Sequence, residues 1–445
     1  MLYQRTETHC LRPNDPLYKC AIEECKHHAR LYNRANYYKR QAFTGHLENL
    51  PDEYLKLVRE GKFLTQNDII RVMTKSKDDL YYGATKRNSA QQTIIRLEQD
   101  WRSWFRALAE YKKTPSKFRG RPRIPGYYED GELAPVYFST ADAKLQKDGT
   151  INLRQKRKNQ TEIKLPFHTN LTNFQQVHLI PKQGRIDVEI IYNIDIQPHK
   201  LDKTKAIGID TGVNNLAAIT SNVAPISNLI NGRPLKSINQ YYNKYVAQIK
   251  SKLAKDELKT SKALERLHFK REMKIKDYLH KASRRVVDLM IANNIGTCFI
   301  GHNTGWKQEA SMGKRNNQNF VDIPFNKFID MLKYKVQEIG GEVIEFNESY
   351  TSLCSFLDNE KVCYHKEYKG DRKKRGMFQA TGNRQINADI NGSLNIIKRG
   401  YGCSFIPDKC IFNPMKIDIE KKSLIHTISD RGTNGSTIAE FNELG

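Results

Sequence analysis

The sequence predicts an α/β multi-domain protein, and three observations carry that reading. Helical patterning over about 21–112 gives way to short β-type runs over about 135–200, and strands and helices then alternate from about 205 to 399. The segment GIDTGVNNLAAIT (208–220) reads as two strands around a TGVNN turn, with Asp210 at the mouth of the hairpin. NADINGSLNI (387–396) places Asp389 at the start of a helix, where the helix dipole favours a carboxylate. Each acid ends a regular element, and the two come from distant segments. A divalent-metal site needs this arrangement. Hard cations such as Mg²⁺ take oxygen ligands, and two ions roughly 3.5–4 Å apart can hold the attacking and leaving oxygens of a phosphodiester. The structural alternative is a turn Asp and a helix-capping Asp with no metal, and the charge of the chain weighs against it.

The 445 residues include 74 Lys and Arg against 49 Asp and Glu, a formal net charge of +25. The length suggests two to four domains with at least one large core. The cationic surplus implies a polyanionic partner, because each Lys or Arg that neutralises a phosphate releases a condensed counterion. No run approaches the 18 or so apolar residues of a membrane span, and MLYQRTETHCLRP has no signal-peptide character. The eight cysteines are scattered, as free thiols of a cytosolic protein would be. The totals therefore predict a cytoplasmic protein that handles nucleic acid and has no membrane partner.

Residues 1–20 read as a short extended piece broken by Pro13 and Pro16. Helices follow through CAIEECKHHARLYNRANYYKRQAF and SAQQTIIRLEQDWRSWFRALAEY. In the second, Ile94, Leu97, Trp101, Trp104 and Leu108 recur every three or four residues, which assigns the tryptophans to a core rather than to base stacking. In KKTPSKFRGRPRIPGYY (112–128) the prolines and Gly120 break any helix. Lys117, Arg119, Arg121 and Arg123 make it a basic linker suited to phosphate contact. PVYFSTA, EIKLPF, QVHLIP and RIDVEIIYNI then suggest a small β-barrel or sheet module. Beyond the Asp210 hairpin come helices at roughly 234–255 and 258–294, a buried-type strand TCFIG (297–301), a helix at 322–339 and a strand GEVIEF (341–346). The stretch 351–380 is polar, basic and irregular. A helix runs from Asp389 to about 399, and the tail from 402 is expected to be loosely packed.

A hairpin with an Asp, a strand, a helix, a strand and an Asp-headed helix is the element order of an RNase H-like (RuvC) nuclease core. Specific segments extend the likeness: NGRPLKSINQYYNK (231–244), KDYLHKASR (276–284), FIGHNTGWKQE (299–309), NNQNFVDIP (316–324), ESYTS (348–352) and INADINGSLNI (386–396), with YQRTETH and SKFRGRPRIP (116–125) near the start. On these residues the chain resembles the TnpB family, transposon-encoded RNA-guided DNA nucleases related to the type V CRISPR effectors. The resemblance covers about residues 1–400. It implies a wedge β-barrel domain (1–20 and 125–200), an inserted helical recognition domain (21–124), a RuvC nuclease core (201–350 and 381–400), a target-nucleic-acid-binding insert (351–380) and a flexible C-terminal tail (401–445). It also implies a guide RNA encoded at the transposon end as partner. Double-stranded target DNA would be read by base pairing next to a short protein-read motif.

Such nucleases use a third acid, usually a Glu at the end of the middle strand, where this chain has Gly301. A subset of the family resembles this chain in carrying the Glu within ESYTS, which points to Glu348; Glu309, Glu345 and His302 are the alternatives. Asp210, Glu348 and Asp389 are accordingly expected to bind two Mg²⁺ ions, with Mn²⁺ able to substitute. Arg384 is a candidate to steady the developing phosphorane charge. Trp306, Lys307, Gln308, Asn316, Asn317 and Gln318 are candidates to position the substrate backbone. Many relatives hold zinc in the insert through paired CxxC motifs; Cys354, Cys363 and His365 form no such pair, so zinc is not expected. Cys20 and Cys25, five apart on a helix, point apart and suggest no metal either. Two competing readings remain: an RNA-guided DNA-binding repressor with a decayed nuclease, which Gly301 favours, and a DNA transposase that uses the same acidic fold without RNA.

Overall fold

Alternation of exposed and half-buried residues from Leu2 to His9 makes LYQRTETHCL a one-sided strand, β1 (Leu2–Leu11). The structure is a computed structural model describing residues 2–59, 63–83, 86–153, 163–166, 174–223, 226–302, 322–374, 376–401, 414–417 and 419. It divides into two compact units, Leu2–Asp195 and a second that begins at Ile196.

In the first unit β1 leads into five helices: α1 (Tyr18–Thr44), α2 (Asp52–Arg59), α3 (Gln66–Lys75), α4 (Asp79–Gly83) and α5 (Arg87–Lys113). Gly45 ends α1 in the left-handed conformation (φ 83°), and a Thr65–Asp68 capping box starts α3. The apolar stripe of α5 packs into the helical core, where Trp101 is fully buried and its indole donates to Asn36 Oδ1 (3.0 Å). Trp104 donates to the carbonyl of Pro122 (3.2 Å), so both tryptophans are consumed by packing. Lys39 is also buried, donating to the Leu64 carbonyl (2.7 Å) and to Glu98 (2.5 Å).

Strands β2 (Val136–Ser139), β3 (Ala143–Leu145), β4 (Thr150–Leu153), β5 (Ile163–Pro166), β6 (Phe174–Lys182) and β7 (Arg185–Asp195) complete this unit. β1 pairs with β7 along its whole length, and the sheet order is β1-β7-β6-β2. β3, β4 and β5 form a second sheet. Among the described residues these are two open sheets and not the closed barrel implied by the resemblance. The Ser139–Asp142 turn, in which Asp142 accepts from the amide (3.3 Å) and hydroxyl (3.1 Å) of Ser139, ends β2 after four residues and carries the chain into the other sheet.

The second unit is built on β8 (Asp202–Thr211), β9 (Asn215–Ser221) and β10 (Ser227–Asn231). Next come α6 (Arg233–Lys255), α7 (Lys262–Ala292), β11 (Ile295–Gly301), α8 (Phe325–Glu338) and β12 (Glu342–Phe346). A small sheet follows, β13 (Asp371–Lys374), β14 (Met377–Gln379) and β15 (Gln385–Asn387), which leads directly into α9 (Ala388–Tyr401) and then β16 (Met415–Ile417). The main sheet runs β12-β11-β8-β9-β10-β16. β8 to β10 are antiparallel neighbours, and β8, β11 and β12 pair in parallel.

Both faces of this sheet are covered, which explains the unbroken apolar runs KAIGID and TCFIG. Ile207, Ile209, Cys298 and Ile300 face a core shared with α7 and α8, while Ala206 and Phe299 face Ile396 and Ile397 of α9. Within the tail, β16 is ordered against the main sheet. Residues 415–417 extend the β10 edge in parallel register, and Ile417 and Ile419 join the core. The rest of the tail lies outside the described residues. Among the described residues no helix is long and apolar enough to cross a membrane.

Candidate active site

Asp210 sits at the end of β8, opposite Ala218 of β9, on the sheet face covered by α9. Two glycines let α9 approach this closely. A Cβ at Gly208 would collide with the Ser393 carbonyl, and one at Gly392 would lie 2.5 Å from Asp210 Oδ2. Ser393 fixes the contact by donating to the Gly208 carbonyl (2.7 Å), with its hydroxyl 2.8 Å from that of Thr220.

Asp389 lies in the first turn of α9. The Asn387 side chain caps that turn, accepting from the amides of Asp389 (3.0 Å) and Ile390 (3.2 Å). The Asp389 carboxylate accepts from Asn215 Nδ2 (2.7 Å) and from Arg372 Nη2 (3.3 Å).

Glu348 follows β12 in a turn where the amide and hydroxyl of Thr351 donate to its carbonyl (3.1 and 2.8 Å). Asn391 and Asn395, one helical turn apart on α9, bind this loop. Asn391 accepts from the Phe356 amide (3.0 Å) and donates to the Cys354 carbonyl (2.9 Å). Asn395 donates to the carbonyls of Thr351 (2.9 Å) and Cys354 (2.7 Å). The asparagines of INGSLNI thus tie the loop bearing Glu348 to the helix bearing Asp389.

Gly301 is one step beyond the Ile300–Ile209 pair of β11 and β8, so it lies beside Asp210. A Cβ there would stand 3.1 Å from both Cβ and Oε2 of Glu348. The Glu348 carboxylate therefore occupies the space that a side chain at position 301 would fill.

The charges of two of the carboxylates act on the third, Asp210. Burial, then the charges of Glu348 and Asp389, push the Asp210 pKa well above the usual carboxylate range, with Arg372 opposing. Burial alone pushes Glu348 up to about 7. Among the described residues no three Asp, Glu, His or Cys side chains already close around a common point. Asn215 and Arg372 hold Asp389. Oxygen-only donors of net negative charge, two of them reluctant to ionise without a cation, fit a hard divalent ion.

The raised pKa values have a testable consequence. A carboxyl with a raised folded-state pKa stabilises the protein below its unfolded pKa, and that contribution is lost as pH rises through the folded value. For Glu348 the window runs from about 4.5 to about 7. In chelator, Glu348→Gln should therefore gain thermal stability over the parent as pH rises through that window, by roughly 3 kcal/mol at its upper end. Paired melting curves at pH 5 and 8 with EDTA check this; a pH-independent difference would contradict it.

Other predicted site residues lie elsewhere. Arg384 is not brought to the acids. Its guanidinium pairs with Asp358 and donates to the carbonyls of Leu357 and Thr381 (both 3.1 Å), locking the turn before β15. Arg372 of β13 is the guanidinium at the site. It lay unmarked in the sequence, one cation of the run GDRKKRG. Glu345 pairs with Lys333 (2.5 Å) and His302 (3.3 Å). In the insert, the buried Cys354 thiol donates to the carbonyls of Lys361 (3.4 Å) and Cys363 (3.5 Å). Glu360 accepts from the amides of Ser355 (2.7 Å) and Lys369 (3.0 Å), bracing the loop from within. Near the start of the chain, His28 Nδ1 is 2.6 Å from Thr93 Oγ1 and Cys25 is buried. In the first unit Lys117 pairs with Glu110 (2.8 Å), while Arg119, Arg121 and Arg123 are exposed with no acidic partner among the described residues. Glu309, Trp306, Lys307, Gln308, Asn316, Asn317 and Gln318 lie outside the described residues.

Residues 188–307 match the OrfB_IS605 family, described as "Probable transposase", and residues 325–396 match the "Cas12f1-like, TNB domain" family. A TnpB-like protein of Acidianus two-tailed virus is 23% identical over 429 residues, covering 84% of this chain and 82% of its own. Among solved structures, a Cas12f1–sgRNA–target DNA complex matches 88% of this chain and 98% of its own at 20% identity and a TM-score of 0.34. A CRISPR–Cas12f ternary complex matches 84% and 81% at 15% identity and 0.33. The two family matches span the segments that supply Asp210 and Asp389, and together with the TnpB-like relative they support the resemblance of this chain to the TnpB family.

Proposed function

We propose that the chain is an RNA-guided double-stranded DNA endonuclease encoded by a transposon. It would use a guide RNA from the transposon end and a short target-adjacent motif. The observation that carries the reading is the convergence of Asp210, Glu348 and Asp389 from three elements, with Glu348 filling the space beside Gly301. These residues would hold two Mg²⁺ ions, or Mn²⁺, which when bound supply a water of lowered pKa and stabilise the leaving 3′-oxygen. Because burial raises the carboxyl pKa of both Asp210 and Glu348, metal uptake near neutral pH should release protons from this pair. Asn215 holds the Asp389 carboxylate in orientation, and Arg372 offsets its charge.

In the first unit, Arg119, Arg121 and Arg123 alternate along the segment that Trp104 holds at Pro122 and that α1 holds just beyond it. Asn36 donates to the carbonyls of Pro125 (3.1 Å) and Gly126 (2.8 Å), and Asn33 to that of Tyr128 (2.8 Å). Replacing all three arginines with Gln should lower the salt slope of duplex binding by about 3, at roughly 0.9 per lost phosphate contact. An unchanged slope would mean that these side chains are only solvated.

The deciding experiment is co-expression with the downstream transposon flank, followed by challenge of the purified complex, with Mg²⁺, using plasmids that carry a guide-matched target beside a randomised flank. Cut ends enriched for one flank are expected. Motif-specific binding without cutting would replace this reading with the repressor, and RNA-independent strand transfer would replace it with the transposase.

A further inference from the structure

Helix α6 contains six Lys or Arg and no Asp or Glu in its 23 residues. Its inner side is committed to the fold. Leu235 and Leu253 are buried. Tyr242 shares a hydrogen bond with His268 (2.6 Å) and lies 4.7 Å from the Arg271 guanidinium, which also donates to Asn239 (2.7 Å). The outer side carries Arg233, Tyr241, Lys244, Tyr245, Lys252 and Lys255 at helical spacing over about 33 Å. Tyr241 and Tyr245 are 58% and 39% exposed, with ring centroids 4.4 Å apart. Among the described residues none of these four cations has an acidic partner, and neither hydroxyl has a hydrogen-bond partner. The adjacent tyrosines differ sharply: Tyr242 is held by packing, whereas Tyr241 presents its ring to solvent.

We propose that this face of α6 binds an unpaired nucleic-acid strand, with the cations following its phosphates and the Tyr241–Tyr245 pair stacking a base. The proposal rests on the nucleic-acid reading above. Charge selects a polyanion, and the exposed ring pair selects a single strand, because a duplex buries its base faces. Guide RNA and displaced DNA strand share this chemistry.

The test uses the full-length protein stripped of nucleic acid, with fluorescence anisotropy against single-stranded RNA, single-stranded DNA, an abasic single strand and duplex DNA across a salt series. Y241A/Y245A should bind base-bearing single strands about tenfold more weakly, bind abasic strand and duplex as the parent does, and be rescued by Y241F/Y245F. R233Q/K244Q/K252Q/K255Q should lower the single-strand salt slope by about 3, at roughly 0.7 per phosphate. Circular dichroism confirms that each variant is folded. Equal loss on the abasic strand, or no loss and an unchanged slope, would overturn the proposal. If the parent binds none of the four probes, the functional reading itself fails. If the parent binds and the α6 variants match it, only this proposal fails. Tighter RNA binding would identify the guide as the ligand and tighter DNA binding the displaced strand, and both uphold the face.

Discussion

Replacing Glu348 with Gln is expected to slow DNA cleavage by about three orders of magnitude while leaving guide and target binding unchanged. The substitution keeps the shape of the side chain and its fit against Gly301, so it removes charge without opening a cavity. The reciprocal change makes the argument specific to position. Gly301→Glu alone would put a Cβ 3.1 Å from Glu348 Oε2 and 2.7 Å from Ile396 Cδ1, so the new side chain displaces the existing acid and inactivates the enzyme. Combined with Glu348→Ser, the same substitution gains the vacated space and returns a carboxylate to the strand end beside Asp210. The double variant should therefore recover activity that each single variant lacks. Plasmid cleavage at saturating complex, compared across the four proteins, reads this directly. A Glu348→Gln protein as active as the parent would remove Glu348 from the site.

What was legible in the sequence follows the range of the interactions involved. The Asp210 hairpin and the helix headed by Asp389 are local patterns, and both stand in the structure within about three residues of their expected bounds. The tryptophans of α5 were assigned to the core by spacing alone. Glu348 was named from ESYTS, but the reason it fits, the empty space at Gly301, exists only once β11 and the post-β12 loop are side by side. Arg372 could not be distinguished from its basic neighbours, because its pairing with Asp389 spans 17 residues and depends on how β13, β14 and β15 fold back on one another. Arg384 was favoured because it lies close to Asp389 in sequence, yet an extended strand separates them and Asp358 claims the guanidinium. β16 was missed because MKI has too little periodicity to mark a strand, and its partner β10 lies nearly half the chain away.

Gly392→Ala should separate the stability of the fold from the competence of its site. In an exposed helix this change would stabilise by about 1 kcal/mol through backbone entropy. Here the added methyl would lie 2.5 Å from Asp210 Oδ2. One of the two must move, and overpacking of this kind costs about 1–3 kcal/mol. The partner that yields is decided by the surroundings. α9 is pinned by Ser393 to Gly208 and Thr220, and by Asn391 and Asn395 to the Glu348 loop, whereas no side chain among the described residues donates a hydrogen bond to the Asp210 carboxylate. The carboxylate therefore turns away while the helix stays. Opposing terms of similar size leave the melting temperature within a few degrees of the parent. Cation affinity should fall by about tenfold to a hundredfold, as for a misoriented ligand, with cleavage falling in parallel. Mn²⁺ titration followed by electron paramagnetic resonance, beside melting curves in EDTA, distinguishes the outcomes. A large loss of melting temperature with normal Mn²⁺ binding by the folded fraction would mean that the helix moved instead, and that Asp210 is held by more than its neighbours' charge.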